Sequence, residues 1–361
     1  MTSLFLRRHS RIIHVGDVAI GGDNPLVIQS MTNTSTADTG ATLAQIEALA
    51  AAGCRLVRVA VPDMEAAESL PALIKHSPLP LIADIHFDHH LALAAIRGGI
   101  HGLRLNPGNI GSKARIKEVV TAAKLENTSI RIGVNGGSLE KDLLARYGGP
   151  TAEALVESAL RHLALLEEVN FSNIKISLKS SRLPLMVQAY RLIATKVDYP
   201  LHIGLTEAGS FERGSIRSAA ALSILLSEGI GDTLRISLTC DPVREIFVAK
   251  ELLKALELRQ EGYTFISCPT CGRCQIDVES ISRQVEEHFT GITPTRPLRL
   301  AIMGCAVNGP GEAKEADLGI AGGKGQGLLF CRGEIVGKYP NHQLAHALIE
   351  AVHQLGMRNE E

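Results

Sequence analysis

Between residues 26 and 239 a short β-branched run, a polar or glycine-containing tip and an amphipathic helical stretch recur eight times, and this period constrains the fold more than any other feature of the chain. The runs are LVIQSM (26–31), RLVRVAV (55–61), PLIADIH (80–86), GLRLNPG (102–108), SIRIGVN (129–135), NIKISLK (173–179), PLHIGLT (200–206) and TLRISLT (233–239). Helical patterns fall between or after them, as in Thr42–Ala52, Met64–His76, Ser112–Lys124, Thr151–Val169, Ser215–Glu228 and Pro242–Leu258. Eight strands, each followed by a helix, match a (β/α)8 TIM barrel, in which parallel strands are covered by an outer ring of helices. A doubly wound open sheet also alternates, but it usually carries a phosphate-binding glycine fingerprint after its first strand, and none stands there. The absence of Trp and the 4% aromatic content require aliphatic cores, as barrel interiors commonly have. A small hairpin is predicted ahead of the barrel, over Ile12–Ile20.

After residue 260 the period changes. Thr264–Cys268 and Leu298–Gly304 read as strands, Val278–Phe289 as a helix, Leu318–Tyr339 as glycine-punctuated strands, and Gln343–Leu355 as a last helix. At 361 residues the chain exceeds the usual size of a single core. The expected organisation is therefore an α/β chain with a barrel over 1–260, which binds the substrate, and a smaller α+β domain over 261–361, divided near Leu258–Gly262. Basic and acidic residues nearly cancel, 37 against 38, so no electrostatic case exists for nucleic acid or an anionic membrane as partner. No run of 18 apolar residues occurs, and Met1–Arg8 lacks the features of a secretory signal, which makes the cytoplasm the expected location.

Several barrel strands carry a charge among apolar residues: Arg58, Arg104, Arg131, Lys179 and Arg235, with Glu207 just beyond strand seven. A lone buried guanidinium is costly, and functional groups of this fold gather at the C-terminal ends of the strands. One multiply charged, phosphate-bearing ligand would account for all five cations. The plainer reading pairs them with in-chain acids such as Asp84 and Glu207. Asp84, His86, Asp88, His89 and His90 have the residue types of a metal site, although clusters at loop tips are more often solvated. Gly322–Gly327 lacks the Lys-Ser/Thr pair of a phosphate loop and reads as a hairpin tip.

Four of the seven cysteines crowd in one place while Cys54, Cys240 and Cys331 stand alone: Cys268, Cys271 and Cys274 precede Cys305, and Glu312 follows in Gly304–Glu312. In a reducing compartment such a group is a metal or iron–sulfur site rather than a disulfide framework. Spacing leaves structural zinc and an iron–sulfur cluster equally open.

Together the segments VIQSMTNT, VRVAVP, IADIHFD, GLRLNPGNIG, RIGVNGGSLEKD, HIGLTEAG, GDTLRISLT, SCPTCGR and MGCAVNGPGE, in this order from about Arg11 onward, resemble the bacterial 4-hydroxy-3-methylbut-2-enyl diphosphate synthase family. The resemblance implies an oxidoreductase of isoprenoid precursor biosynthesis. Its members open the ring of 2-C-methyl-D-erythritol 2,4-cyclodiphosphate with two electrons and loss of water, using a 4Fe-4S cluster refilled by flavodoxin or ferredoxin. It implies Cys268, Cys271, Cys305 and Glu312 as cluster ligands. It further implies Arg58, Arg104, Arg131, Asn135, Lys179, Arg235 and Ser237 as diphosphate contacts, Glu207 as an acid near the substrate, and Asn308 in a closing loop. Members are homodimers in which one chain's cluster domain covers the other's barrel. Cys274 departs from the family pattern and leaves room for an all-thiolate site. The competing readings are a phosphate-ligand lyase or transferase with structural zinc, and an iron–sulfur electron carrier.

Overall fold

The computed structural model describes residues 6–106, 110, 112–305 and 315–357, and these divide into two compact units, Met1–Leu258 and Arg259–Glu361. In the first unit a hairpin of β1 (Ile13–Val15) and β2 (Val18–Ile20) precedes eight parallel strands. These are β3 (Val27–Met31), β4 (Leu56–Ala60), β5 (Leu81–Asp84), β6 (Gly102–Leu105), β7 (Ser129–Asn135), β8 (Ile174–Lys179), β9 (His202–Ile203) and β10 (Thr233–Leu234). Their order is β8-β7-β6-β5-β4-β3-β10-β9, and a parallel bridge from Ile176 to Leu201 joins the two ends, so the sheet closes into a barrel. The hairpin residues Ile13, Val15, Val18 and Ile20 pack on Val27, Leu56 and Ile82, which start the first strands, and so seal the N-terminal end.

Local chemistry explains why several helix starts are legible. Asp63, Asp241 and Thr151 each cap the following helix, their side chains accepting the N–H of Ala66, Val243 and Ala154, and Pro242 fits the first turn. Strands seven and eight are much shorter than predicted. The backbones at Gly204 and Arg235 approach so closely that a Cβ on Gly204 would lie 2.6 Å from the Arg235 carbonyl oxygen. Beyond Arg235 the chain leaves the ladder: Leu238 N–H donates to Glu245 Oε1 at 3.0 Å, and Thr239 N–H to the Gly209 carbonyl at 2.9 Å.

The second unit is a five-stranded sheet in sequence order, β11 (Tyr263–Ser267), β12 (Leu298–Met303), β13 (Leu318–Ala321), β14 (Gln326–Cys331) and β15 (Glu334–Pro340). The first three are parallel and the rest antiparallel, with helices Val278–Phe289 and Leu344–Met357 packed against the sheet around Val285, Leu300, Ile320 and Leu348. No helix among the described residues is long and apolar enough to cross a membrane.

Candidate functional site

Strand register aligns Asp84 with Arg104, Arg104 with Arg131, and Arg131 with Lys175, so four successive strands present these groups on one face. That face is the barrel interior, because Arg58, Arg104, Arg131 and Lys179, from β4, β6, β7 and β8, perturb one another's charge. Gly133 makes the crossing possible: a Cβ there would sit 2.7 Å from Arg104 Nε. Arg58, Arg104 and Arg131 occupy mid-strand positions and are 6%, 2% and 1% exposed, so they lie deeper in the bore than the strand ends where charges were expected.

Two carboxylates hold part of this charge. Asp84 receives Arg104 Nη1 at 3.3 Å, lies 3.7 Å from Arg58 Nε, and has His86 Nε2 3.4 Å away. Burial works to raise its pKa, but Arg58, the His86 contact and Arg104 outweigh it and hold the carboxyl well below its ordinary range. Glu245, on the helix Pro242–Ala255, is 3% exposed and accepts from Arg235 Nε at 3.3 Å and from Ser30 Oγ at 3.0 Å. The sequence expectation named Glu207 as the second acid. Glu207 is exposed at the tip after β9 with a left-handed φ of 54°, and the second acid is Glu245, one helix further on. Met31 Sδ also receives Arg58, from Nη2 at 2.9 Å.

The remaining cations are under-compensated. Arg131 Nε and Nη2, Arg104 Nε and Lys175 Nζ are buried without a hydrogen-bond partner among the described residues. Burial, with Arg104, Arg58 and Arg131 nearby, pushes Lys179 down to about 6; burial, reinforced by Asp84-opposed repulsion from Arg235 and Arg104, brings Arg58 down to about 10. An anion lodged here would be desolvated against several fixed donors, the arrangement that favours phosphate. Asn135 ends β7 exposed, its Oδ1 accepting Gly137 N–H at 3.2 Å, and Ser237 is half-buried past β10. Lys175, a cation in NIKISLK that sequence reasoning passed over in favour of Lys179, is 1% exposed. Its alternation with Ile174 and Ile176 was the available signal. Asp88, His89 and His90 do gather ligand atoms within 4.8 Å, but Asp88 Oδ1 already caps the helix His89–Arg97 through His90 N–H at 2.8 Å.

In the second unit β11 and β12 run parallel, and Cys268 and Cys305 follow their ends, with Cys268 N–H donating to the Ile302 carbonyl at 3.1 Å. Cys268 Sγ accepts Gly304 N–H at 3.0 Å. A Cβ at Gly304 would lie 3.3 Å from Cys268 Sγ and would collide with Cys274 Sγ, so this glycine leaves room for sulfur. Cys271 is exposed, Cys268, Cys274 and Cys305 are half-buried, and all four are free thiols. Cys274 Sγ lies 3.4 Å from the Ile276 carbonyl as a hydrogen-bond donor. Asn308 and Glu312 lie outside the described residues.

Comparisons with known proteins follow the same division. Residues 10–250 match the GcpE TIM-barrel domain and residues 264–354 the GcpE protein C-terminal domain. A curated relative from Geobacter sulfurreducens, named 4-hydroxy-3-methylbut-2-en-1-yl diphosphate synthase (flavodoxin), is 59% identical over 97% of this chain and 99% of its own. One of the same name from Maridesulfovibrio salexigens is 57% identical over 92% of each chain. Among solved structures, the Plasmodium falciparum HPPK-DHPS protein aligns with 69% of this chain and 51% of its own at TM-score 0.50 and 11% identity, a likeness of fold alone. Identity at this level across both units places the chain in the 4-hydroxy-3-methylbut-2-en-1-yl diphosphate synthase (flavodoxin) family.

Proposed function

We propose that the chain reduces 2-C-methyl-D-erythritol 2,4-cyclodiphosphate to 4-hydroxy-3-methylbut-2-enyl diphosphate, with flavodoxin as the electron donor. The observation that carries this reading is the set of buried barrel cations whose guanidinium and ammonium nitrogens exceed the acids available to them. Arg58, Arg104, Arg131, Lys179 and Arg235 bind the diphosphate, with Asn135 and Ser237 as neutral contacts at the rim. Asp84 and Glu245 fix the guanidinium planes and stop short of neutralising them, which pre-organises the site for a dianion. In this reading Glu207, at the exposed tip after β9, is the acid candidate near the substrate hydroxyls.

The donor set of the second unit fits an iron–sulfur group, since free thiols stand at neighbouring strand ends around a glycine that leaves room for sulfur. Cys268, Cys271 and Cys305 would hold a 4Fe-4S cluster, with Glu312 as its fourth and more exchangeable ligand. When bound, this group supplies electrons one at a time. Asn308 belongs to the closing loop of this reading, and the working unit is a homodimer. Ferredoxin is a second candidate donor.

The test is anaerobic incubation of the cyclic diphosphate with the protein and reduced flavodoxin, followed by phosphorus NMR. The cyclic resonances should give way to those of a linear diphosphate. Recovery of unchanged substrate with a fully loaded protein would overturn the assignment.

A further inference from the structure

Among the described residues of the barrel, Lys175 is the one fully buried cation that this function leaves unused. It is 1% exposed, its Nζ meets no partner among the described residues, and it pairs in register with Arg131. The charged and titratable groups that act on it are Arg131 on β7, Arg58 on β4 and Asp232 just before β10, while His202 on β9 responds to it in turn. Asp232 is already engaged by Arg7 Nη2 at 3.1 Å, Ser10 Oγ at 2.7 Å and the Leu201 N–H at 2.8 Å. An ammonium buried without a partner beside a guanidinium is strongly disfavoured, so burial and its neighbours favour the neutral amine in the free protein.

Anion binding changes its surroundings. Once a diphosphate pairs with Arg131, the repulsion that Arg131 exerts on a proton at Lys175 is cancelled, and the net charge in the bore turns favourable to an ammonium. We propose that Lys175 is a positioning residue that acts through Arg131, taking up a proton when the diphosphate enters the barrel and so completing the charge that holds it. Burial and repulsion from Arg131 and Arg58 push its pKa well below the ordinary lysine value, in keeping with a neutral resting state. The inference rests on the functional reading above. The ligand brings no proton of its own, because each phosphorus of a cyclic diphosphate carries one ester and one anhydride bond and keeps only a strongly acidic hydroxyl.

Proton uptake is read by anaerobic titration calorimetry of the holoenzyme with the cyclic diphosphate at pH 8.5, in two buffers of different ionisation enthalpy. That pH is about two units above an ordinary imidazole, which limits any contribution from histidine. Wild type should take up protons at both Lys179 and Lys175. Lys179→Met should bind more weakly yet retain an uptake on the order of one proton, with affinity falling about tenfold per pH unit for each proton coupled. Lys175→Met should lose that share while Arg131 still binds ligand. Uptake equal to wild type in Lys175→Met, or none in Lys179→Met, overturns the inference. If Lys175→Met fails to fold, the Lys179→Met titration decides alone. Wild-type protein that does not bind the cyclic diphosphate overturns the functional reading and this inference together, whereas binding without a Lys175-dependent proton overturns the inference only.

Discussion

The barrel and the second unit hold their functional groups in opposite ways. In the barrel, Arg58, Arg104 and Arg131 sit on strand interiors, placed by register and burial, with Asp84 fixing two of them. In the second unit, Cys268, Cys271 and Cys305 stand beyond strand ends, half-buried or exposed. Groups fixed by the scaffold keep their places without the ligand, so losing one should leave the rest of the site assembled, even though neighbours that share Asp84 stay coupled in energy. Ligands that share a metal group depend on each other through it, so losing one should lose the whole.

This contrast is tested most severely at the thiols. Cys305→Ser should lower both iron content and turnover, the latter by at least about a hundredfold, since even outer-shell changes at metal sites reach that scale. Its affinity for the cyclic diphosphate, measured by calorimetry, should stay near that of wild type. Glu312→Ala should keep a cluster on three thiolates but lose turnover and shed iron on oxidation, whereas Cys274→Ser should retain both, as electron paramagnetic resonance and iron counting would show. Iron loss in Cys274→Ser with full activity in Glu312→Ala would reverse the ligand assignment. Arg131→Ala should leave the cluster spectrum intact and weaken diphosphate binding by about 1.5–3 kcal/mol, roughly ten- to 150-fold. Mixing Cys305→Ser with Arg131→Ala under subunit exchange should restore part of the activity if barrel and cluster from different chains cooperate.

The last effect concerns stability. Lys179 titrates near 6 when folded but near the ordinary 10.5 when unfolded, so between these values the unfolded chain binds more protons and stability rises with pH. Lys179→Met should flatten that slope in denaturant titrations of the holoenzyme between pH 6.5 and 9. An unchanged slope would mean that Lys179 is charged in the folded barrel.

Much of this was legible in the sequence because local chemistry and tertiary structure agree. Helix Met64–His76 is capped by Asp63, and β7 sets Ser129, Arg131 and Gly133 in strict alternation with Ile130, Ile132 and Val134. What stayed hidden depends on distant segments. Glu245 became the partner of Arg235 only because Leu238 and Ser30 also converge on its carboxylate, and no spacing in the sequence encodes that meeting. β10 is short because Leu238 N–H turns to the Glu245 carboxylate and Thr239 N–H to the Gly209 carbonyl instead of continuing the ladder. Lys175 was overlooked because a lysine inside a strand reads as a solvated residue unless the strand is known to close into a barrel.

The central claim is that an anion-binding barrel and an iron–sulfur unit act as one reductase, and it is tested most directly by measuring iron, acid-labile sulfide and turnover of the cyclic diphosphate on the same anaerobic preparation. We predict about four irons and four sulfides per chain at full loading, with turnover rising in proportion to cluster occupancy. Zinc without sulfide, or turnover independent of iron content, would contradict it.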